Sequence, residues 1–183
     1  LRLSKLGPKK LILLENNEFS LYNLMTEIKT RIDDASIEVE PVLGSVCDRE
    51  AMFSLLAKSK IDTIFHTAAY KHVHIVEANP FGGIQTNFFG TKNMADAATA
   101  AGVGVFLLIS SDKAVRPTNV MGGTKRLAEL YIQSLSKQPQ KTKFLAVRFG
   151  NVLGSSGSVI PTFRAQLQHG GPLTVTHPEM QRY

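Results

Sequence analysis

The chain lacks the features that mark several classes of protein. It has one cysteine, Cys47, and no tryptophan among its 183 residues, which excludes an intrachain disulfide framework and favours a reducing compartment. Its longest apolar run, residues 103–109 around one glycine, is far shorter than the roughly 20 residues that a membrane helix needs. No segment has the pattern of a secretory signal peptide. These absences favour a globular domain in the cytoplasm.

Positive charge is in modest excess, with 21 Lys and Arg against 15 Asp and Glu. The basic residues are spread along the chain and are not interleaved with aromatic residues, so a solvated surface is favoured over nucleic-acid binding. An anionic small substrate fits the charge equally well. Hydrophobic residues make up 43% of the sequence, which is typical of an ordinary globular protein.

Short apolar runs alternate with segments of helical periodicity. The runs predicted as strands are residues 10–14, 39–43, 63–66, 105–109 and 144–149. The segments predicted as helices are residues 19–32, 50–57, 85–101 and 120–136, the last with Asn119 as its N-cap. This alternation predicts right-handed βαβ units in an α/β fold with a doubly wound, Rossmann-like parallel sheet. Ligands of such a sheet bind at the carboxyl ends of the strands.

Glu15 directly follows the first strand. In a dinucleotide-binding fold an acid at this point accepts hydrogen bonds from the adenosine ribose and disfavours a 2′-phosphate, although a surface acid is an equally simple reading. The Gly-rich turn that should precede it is absent. We therefore expect a domain truncated at both ends, in which residues 1–150 form an NAD-binding unit without that turn. Residues 151–183, richer in Gly, Ser and Pro, would begin a substrate-binding lobe.

Small residues follow the next two strands. Ser45 and Val46 could contact an adenine edge, while Ser45 or Asp48 could instead cap a helix. Thr67, Ala68 and Ala69 would let a flat cofactor approach the backbone, or would serve close helix packing.

A hydroxyl, an acid and an amine stand together after the fourth strand, as Ser111, Asp112 and Lys113. An adjacent acid and amine can donate and accept protons in an elimination, and an ion pair in a surface loop is the alternative. Met121 and Lys125 are neighbours at i,i+4 on the following helix. No metal site is expected, since His72 and His74 have no third ligand near them in sequence.

With these residues in view, the sequence resembles the extended short-chain dehydrogenase/reductases. More narrowly, it is similar to the polysaccharide-biosynthesis 4,6-dehydratases that act on UDP-N-acetylglucosamine. The matching stretches are Leu11–Tyr22, His66–Val73, Ser110–Asn119, Val120–Glu129, Arg148–Pro161 and Thr174–Tyr183. The tyrosine of the Tyr-x-x-x-Lys pair is Met121 here, which has no proton to transfer. Met at this position resembles the long, membrane-anchored branch of the family.

The resemblance implies an internal redox elimination. NAD, with NADP as the alternative cofactor, takes hydride from C4 of the sugar and returns it to C6 after water is lost, giving a UDP-4-keto-6-deoxy sugar for surface polysaccharide or glycan synthesis. The implied roles are Asp112 as acid at the C6 hydroxyl, Lys113 as base at C5 and Ser111 as orienter of O4. Lys125 would bind the nicotinamide ribose, and Lys71 would also lie in the cofactor site.

The resemblance also implies a substrate contact at Asn151 and a diphosphate contact at Arg182. It implies a homo-oligomer, a UDP-sugar substrate and a parent protein with membrane helices, anchored on the cytoplasmic face of the bacterial inner membrane. Two alternatives stay open. A UDP-sugar 4-epimerase shares the fold and cofactor, and a fragment without the Gly-rich turn could be inactive by itself.

Overall fold

A computed structural model describes residues 3–31, 37–150, 152 and 159–174. The strands are β1 (Lys10–Glu15), β2 (Glu38–Leu43), β3 (Thr63–His66), β4 (Val105–Ser111) and β5 (Lys143–Phe149). The α-helices are α1 (Glu18–Arg31), α2 (Arg49–Lys58), α3 (Val73–Ala78), α4 (Pro80–Ile84), α5 (Thr91–Ala101), α6 (Val120–Ser136) and α7 (Val159–Gln168). A π-helical segment, Gln85–Gly90, joins α4 to α5, and 3₁₀ turns cover Leu3–Leu6 and Asp112–Ala114.

All strand pairs of the described residues are parallel, as the alternation of strands and helices predicts. They form two sheets, β1-β2 and β3-β4-β5, instead of the single expected sheet. In the doubly wound order 3-2-1-4-5-6, the two groups correspond to opposite sides of a central strand. Among the described residues no strand pairs with both β1 and β3, and these two strands do not pair with each other.

The main core lies between β4 and the helices that cover it. Phe106 and Leu108 on β4 are fully buried, and Ile132 on α6 is almost fully buried. Met52 and Leu56 of α2 join the same cluster, which links the region after β2 to the three-stranded sheet. Because β3, β4 and β5 pair in parallel, their carboxyl ends lie at one edge of this sheet.

The predicted bounds of the strands agree with the structure to within one residue, except that β4 continues to Ser111. Helix α6 has the predicted limits, and the Asn119 Oδ1 atom accepts a hydrogen bond from Gly122 N at 2.8 Å as its N-cap. Helices α3, α4 and α7 were not predicted. Among the described helices, none is both long and apolar enough to cross a membrane.

Candidate functional site

A compact polar turn follows β4. Asp112 Oδ1 accepts hydrogen bonds from Ser111 Oγ at 2.9 Å and from Lys113 Nζ at 3.1 Å. Ser111 Oγ in turn accepts the backbone N–H of Lys113 at 3.2 Å. Because β4 continues to Ser111 and a 3₁₀ turn begins at Asp112, the three side chains project together from the carboxyl end of the strand.

The Asp112 carboxylate is stabilised in its charged form. Burial alone would raise its pKa, but hydrogen bonds from Lys113 and Ser111, together with the Lys113 charge, hold the pKa of Asp112 below its usual value. The resting turn therefore contains a carboxylate paired with the Lys113 ammonium.

Helix α6 begins directly against this turn. A Cβ atom added at Gly122 would lie 2.2 Å from the carbonyl oxygen of Lys113, a distance that no side chain can adopt. The backbone N–H of Val120 donates to Glu77 Oε1 on α3 at 2.8 Å. The first turn of α6 is therefore stabilised by this contact as well as by its own N-cap. Glycine at position 122 is therefore required for the close approach of helix and turn.

Lys125 lies one helical turn further along α6 and is 5% exposed. Its Nζ donates to the carbonyl oxygen of Ile109 on β4 at 2.7 Å. Burial lowers the pKa of Lys125 to about 8, against a smaller raising effect of the Glu129 carboxylate. Met121, on the same side of the helix, is 3% exposed. The ammonium that the sequence assigns to the site thus lies beneath the strand that ends in Ser111.

The predicted cofactor residues lie at the ends of β1, β2 and β3. Glu15 Oε1 accepts the backbone N–H groups of Asn16 and Asn17 at 2.9 and 3.0 Å. Ser45 Oγ accepts the backbone N–H of Cys47 at 3.1 Å. Val46 is buried against Gly90, where an added Cβ would lie 2.6 Å from it.

The alternative role of the segment after β2 is confirmed for Asp48. Its Oδ1 atom accepts the backbone N–H of Ala51 at 3.0 Å, so Asp48 and not Ser45 is the N-cap of α2. The remaining cofactor candidates, Thr67, Ala68, Ala69 and Lys71, occupy the segment between β3 and α3.

Asn87, which the sequence analysis did not identify, fixes that segment. It is fully buried on the π-helix, its Oδ1 accepts Tyr70 N at 2.7 Å, and its Nδ2 donates to Tyr70 O at 3.0 Å. Nδ2 also lies 2.9 Å from Thr124 Oγ1 on α6. A buried amide that clamps a loop can be recognised only from the fold, because an Asn inside a helix gives no local signal.

His66, at the end of β3, is also buried. Its Nε2 lies 2.9 Å from Thr91 Oγ1. Since the Thr91 hydroxyl donates to Asn87 O, the histidine donates to Thr91. Burial, together with the nearby Lys125 charge, lowers the pKa of His66 to about 3, so the imidazole is neutral.

The structure brings Ser111, Asp112 and Lys113 together and places Lys125 under the same strand. Glu15 belongs to the other sheet. Asn151 and Arg182, the predicted substrate contacts, lie outside the described residues. Within the described part of the chain, no group of three His, Cys, Asp or Glu side chains could hold a metal ion.

The parallel α/β fold, with a polar turn after β4 and a buried lysine on the next helix, is that of a Rossmann-like domain. The whole chain, residues 1–183, matches the polysaccharide biosynthesis protein family, and it belongs to that family. It is 48% identical over 182 residues to the capsular polysaccharide biosynthesis protein CapD of Staphylococcus aureus, covering 100% of this chain and 30% of CapD.

Two further relatives are nucleotide-sugar enzymes. A UDP-N-acetylglucosamine 4,6-dehydratase (inverting) of Campylobacter jejuni is 36% identical, with 94% of this chain and 53% of the relative covered. A UDP-glucose 4-epimerase of Rickettsia bellii is 40% identical, with 69% of this chain and 38% of the relative covered. The chain thus spans from about a third to half of the length of these relatives.

Solved structures agree on the fold. The X-ray structure of Pen from Bacillus thuringiensis matches with a TM-score of 0.86 and 39% identity, covering 94% of this chain and 54% of Pen. The dTDP-glucose 4,6-dehydratase DesIV of Streptomyces venezuelae, solved with NAD bound, matches with a TM-score of 0.73 at 20% identity, covering 90% of this chain and 54% of DesIV. At that identity the second match shows the fold alone.

Proposed function

We propose that this chain is part of a nucleotide-sugar 4,6-dehydratase that converts UDP-N-acetylglucosamine to a UDP-4-keto-6-deoxy sugar. The observation that carries the proposal is the hydrogen-bonded Asp112–Lys113 pair beside Ser111. Elimination of water needs one group to remove a proton and another to supply one, within reach of adjacent carbons. A UDP-N-acetylglucosamine 4,6-dehydratase among the relatives supports the same substrate.

The residues present fit a nicotinamide cofactor. The loop after β3 is held at both backbone groups of Tyr70 by Asn87, and its small residues Thr67, Ala68 and Ala69 would let a flat ring approach the backbone. Glu15 would bind the adenosine ribose, and Ser45 and Val46 would lie near the adenine. A bound cofactor of this kind supplies hydride acceptance at C4 and hydride return at C6.

Lys125 would bind the ribose of the cofactor. An ammonium has three donors, and among the described residues one of them is used, in the contact with Ile109 O, which leaves donors for ribose hydroxyls. Ser111 would hold O4 of the sugar. With Met121 at the tyrosine position, Lys125, Ser111 or a bound water is left to accept the O4 proton.

The Asp112–Lys113 pair must change its protonation before it can act. Lys113 has to lose a proton to become a base, and Asp112 has to gain one to become an acid. The two groups are 3.1 Å apart, so a single proton transfer between them satisfies both needs. A bound sugar would exclude water from the pair, which favours the neutral forms.

The elimination then restores the resting pair. Lys113 takes the C5 proton, Asp112 gives its proton to the leaving C6 hydroxyl, and water departs. Lys113 is again an ammonium and Asp112 a carboxylate, so no outside acid or base is consumed.

A 4-epimerase is the second candidate, because the 4-epimerase of Rickettsia bellii is 40% identical over 129 residues. An epimerase exchanges hydride at C4 without losing water. The mass of the sugar-nucleotide product therefore separates the two functions, since only the dehydratase product is lighter than the substrate by one water.

Asp112→Asn in the intact protein tests the assigned chemistry. Loss of water from UDP-N-acetylglucosamine should slow by about 10²–10⁴-fold, the usual contribution of a general acid. Transient reduction of NAD, followed by absorbance, should persist because C4 oxidation precedes the step. Asp62→Asn, an exposed acid outside the site, is the control. A variant that loses cofactor reduction altogether, or slows by less than about tenfold, would contradict the role of Asp112.

A further inference from the structure

A buried carboxylate joins helix α6 to the last strand. Glu129 is 6% exposed, and Arg148 on β5 binds it with a two-pronged contact, Nε to Oε1 at 2.7 Å and a terminal nitrogen to Oε2 at 2.6 Å. Arg126 adds a third hydrogen bond at 3.1 Å from within the same helix. The planar guanidinium of Arg148 fixes both distance and orientation, which a single point contact would not.

The contact lies next to the proposed reaction centre. In the register of β4 and β5, Ser110 is the partner of Arg148, and Ser111 is the partner of Phe149. Arg148 is thus anchored one residue before the Ser111–Asp112–Lys113 turn. Gly150, two residues further, lies so close to Asp112 that an added Cβ would be 3.6 Å from Oδ2.

The same carboxylate is one helical turn beyond Lys125. Three parts of the site therefore meet at Glu129: the helix that carries Lys125, the end of β4 and the end of β5. Packing alone would let a helix slide on a sheet by fractions of an ångström, whereas a bidentate ion pair fixes one position.

We propose that Glu129 and Arg148 are positioning residues that lock α6 onto the carboxyl ends of β4 and β5, and so hold Lys125 in register with the Asp112–Lys113 pair. Neither side chain needs to touch the substrate in this role. The inference rests on the proposed function for its kinetic consequences, but the geometry itself can be tested without substrate.

Glu129 also acts on Lys125 through its charge. The carboxylate raises the pKa of Lys125 against the effect of burial. Among the described residues, His66 on β3 also faces Lys125, and it stays neutral because its pKa is about 3. Removal of the Glu129 charge should therefore lower the pKa of Lys125 further, an effect that loss of packing alone would not produce.

The kinetic test compares Arg148→Gln with Arg126→Gln in the intact protein. Both remove an arginine from the same carboxylate, but Arg126 is on α6 itself and cannot tie the helix to the sheet. We expect Arg148→Gln to lower turnover of UDP-N-acetylglucosamine at saturating substrate by about tenfold or more, with Arg126→Gln within about threefold of the parent. Arg148→Lys keeps the charge but cannot make the two-pronged contact, and its turnover should lie between those of the other two variants. Turnover is expressed per folded molecule, measured by circular dichroism.

The substrate-independent test is the pKa of Lys125, read by NMR of the ¹³C-lysine-labelled intact protein and assigned with Lys125→Met. Glu129→Gln should lower this pKa by about half a pH unit or more. An unchanged Lys125 pKa, or equal losses in the two arginine variants, would overturn the proposal. If the parent protein converts no UDP-N-acetylglucosamine, the proposed function fails while the NMR result still decides the geometry.

Discussion

Met121 is the residue at which this chain differs most from the Tyr-x-x-x-Lys pattern it resembles. It is buried at 3% exposure, one turn before Lys125 on α6. A thioether cannot accept the O4 proton, so its contribution is shape and apolar contact. Met121→Leu keeps volume and polarity and should retain most of the turnover of UDP-N-acetylglucosamine.

Lys125→Met is the matched change on the same helix face. It removes the predicted ribose contact and one candidate proton acceptor, and we expect activity to be abolished. Steady-state turnover of both variants, normalised to the folded fraction, is the measurement. Near-complete loss in Met121→Leu together with an active Lys125→Met would contradict this assignment.

Glu15 predicts a preference for NAD over NADP in the intact protein. Its carboxylate is fixed by two backbone N–H groups, so it cannot easily turn away from a 2′-phosphate. Like charges brought together in a partly dry site cost several kcal/mol, and NAD should bind at least about tenfold more tightly. Glu15→Gln should reduce this discrimination, while Glu18→Gln on α1 should not. Equal or tighter binding of NADP by the parent, measured by calorimetry, would contradict the prediction.

At the scale of elements, the contact between α6 and the Ser111–Asp112–Lys113 turn depends on one glycine. Gly122→Ala would place a methyl group 2.2 Å from Lys113 O, so the turn or the helix must move. We expect a lower melting temperature and a loss of turnover of about 10²-fold, the cost of a displacement of about 1 Å at a reacting group.

Gly123→Ala is the control, because among the described residues no atom outside the adjoining helix backbone lies within 4 Å of the added Cβ at that position. Alanine is favoured over glycine inside a helix by about 1 kcal/mol, so this variant should be slightly more stable and fully active. Similar behaviour of the two variants in thermal melts and turnover would contradict the close approach inferred at Gly122.

The elements that the sequence predicted best are those with continuous local patterns. Helix α6 has a long amphipathic stripe and the Asn119 cap, and its limits agree with the structure. The sequence does not predict helix α7, because the Gly and Ser residues before it and Pro161 in its first turn conceal its start. The π-helical segment Gln85–Gly90 was predicted as ordinary helix, since one extra residue per turn leaves no mark in the pattern of apolar residues.

The site was predictable only where its residues are adjacent in sequence. Ser111, Asp112 and Lys113 follow one strand, so the fold class alone indicates where they lie. The contacts of Asn87 with Tyr70 and of Glu129 with Arg148 join residues that are 17 and 19 positions apart. Such pairs depend on how helices pack on the sheet, which no local pattern in the sequence encodes.

At the scale of the whole molecule, Glu129 links stability to pH. Burial would raise its pKa, but the hydrogen bonds to its carboxylate, first of all that from Arg148, lower it from 4.5 to about 2. The folded state therefore holds its proton less tightly than the unfolded state. The resulting stabilisation is present above about pH 4.5 and is lost as pH falls towards 2.

Urea unfolding of the parent and of Glu129→Gln, at several pH values between about 6 and 3, checks this effect. The free energy of unfolding of the parent should fall more steeply with acid, by an extra amount on the order of 2–3 kcal/mol over the full range. Parallel curves for the two proteins would show that the carboxylate titrates normally in the folded state.

The wide turn at Gln85–Gly90 makes the number of residues in this segment critical. It contains Asn87, which holds the loop after β3, and it runs directly into α5, whose buried residues begin at Thr91. Deletion of one residue would restore a regular α-helix and rotate one end by about 100° relative to the other. Either Asn87 would leave its loop, or the buried face of α5 would turn away from α2 and β4. Chains of this family should therefore keep the length of this segment, and gaps in their alignment should fall elsewhere.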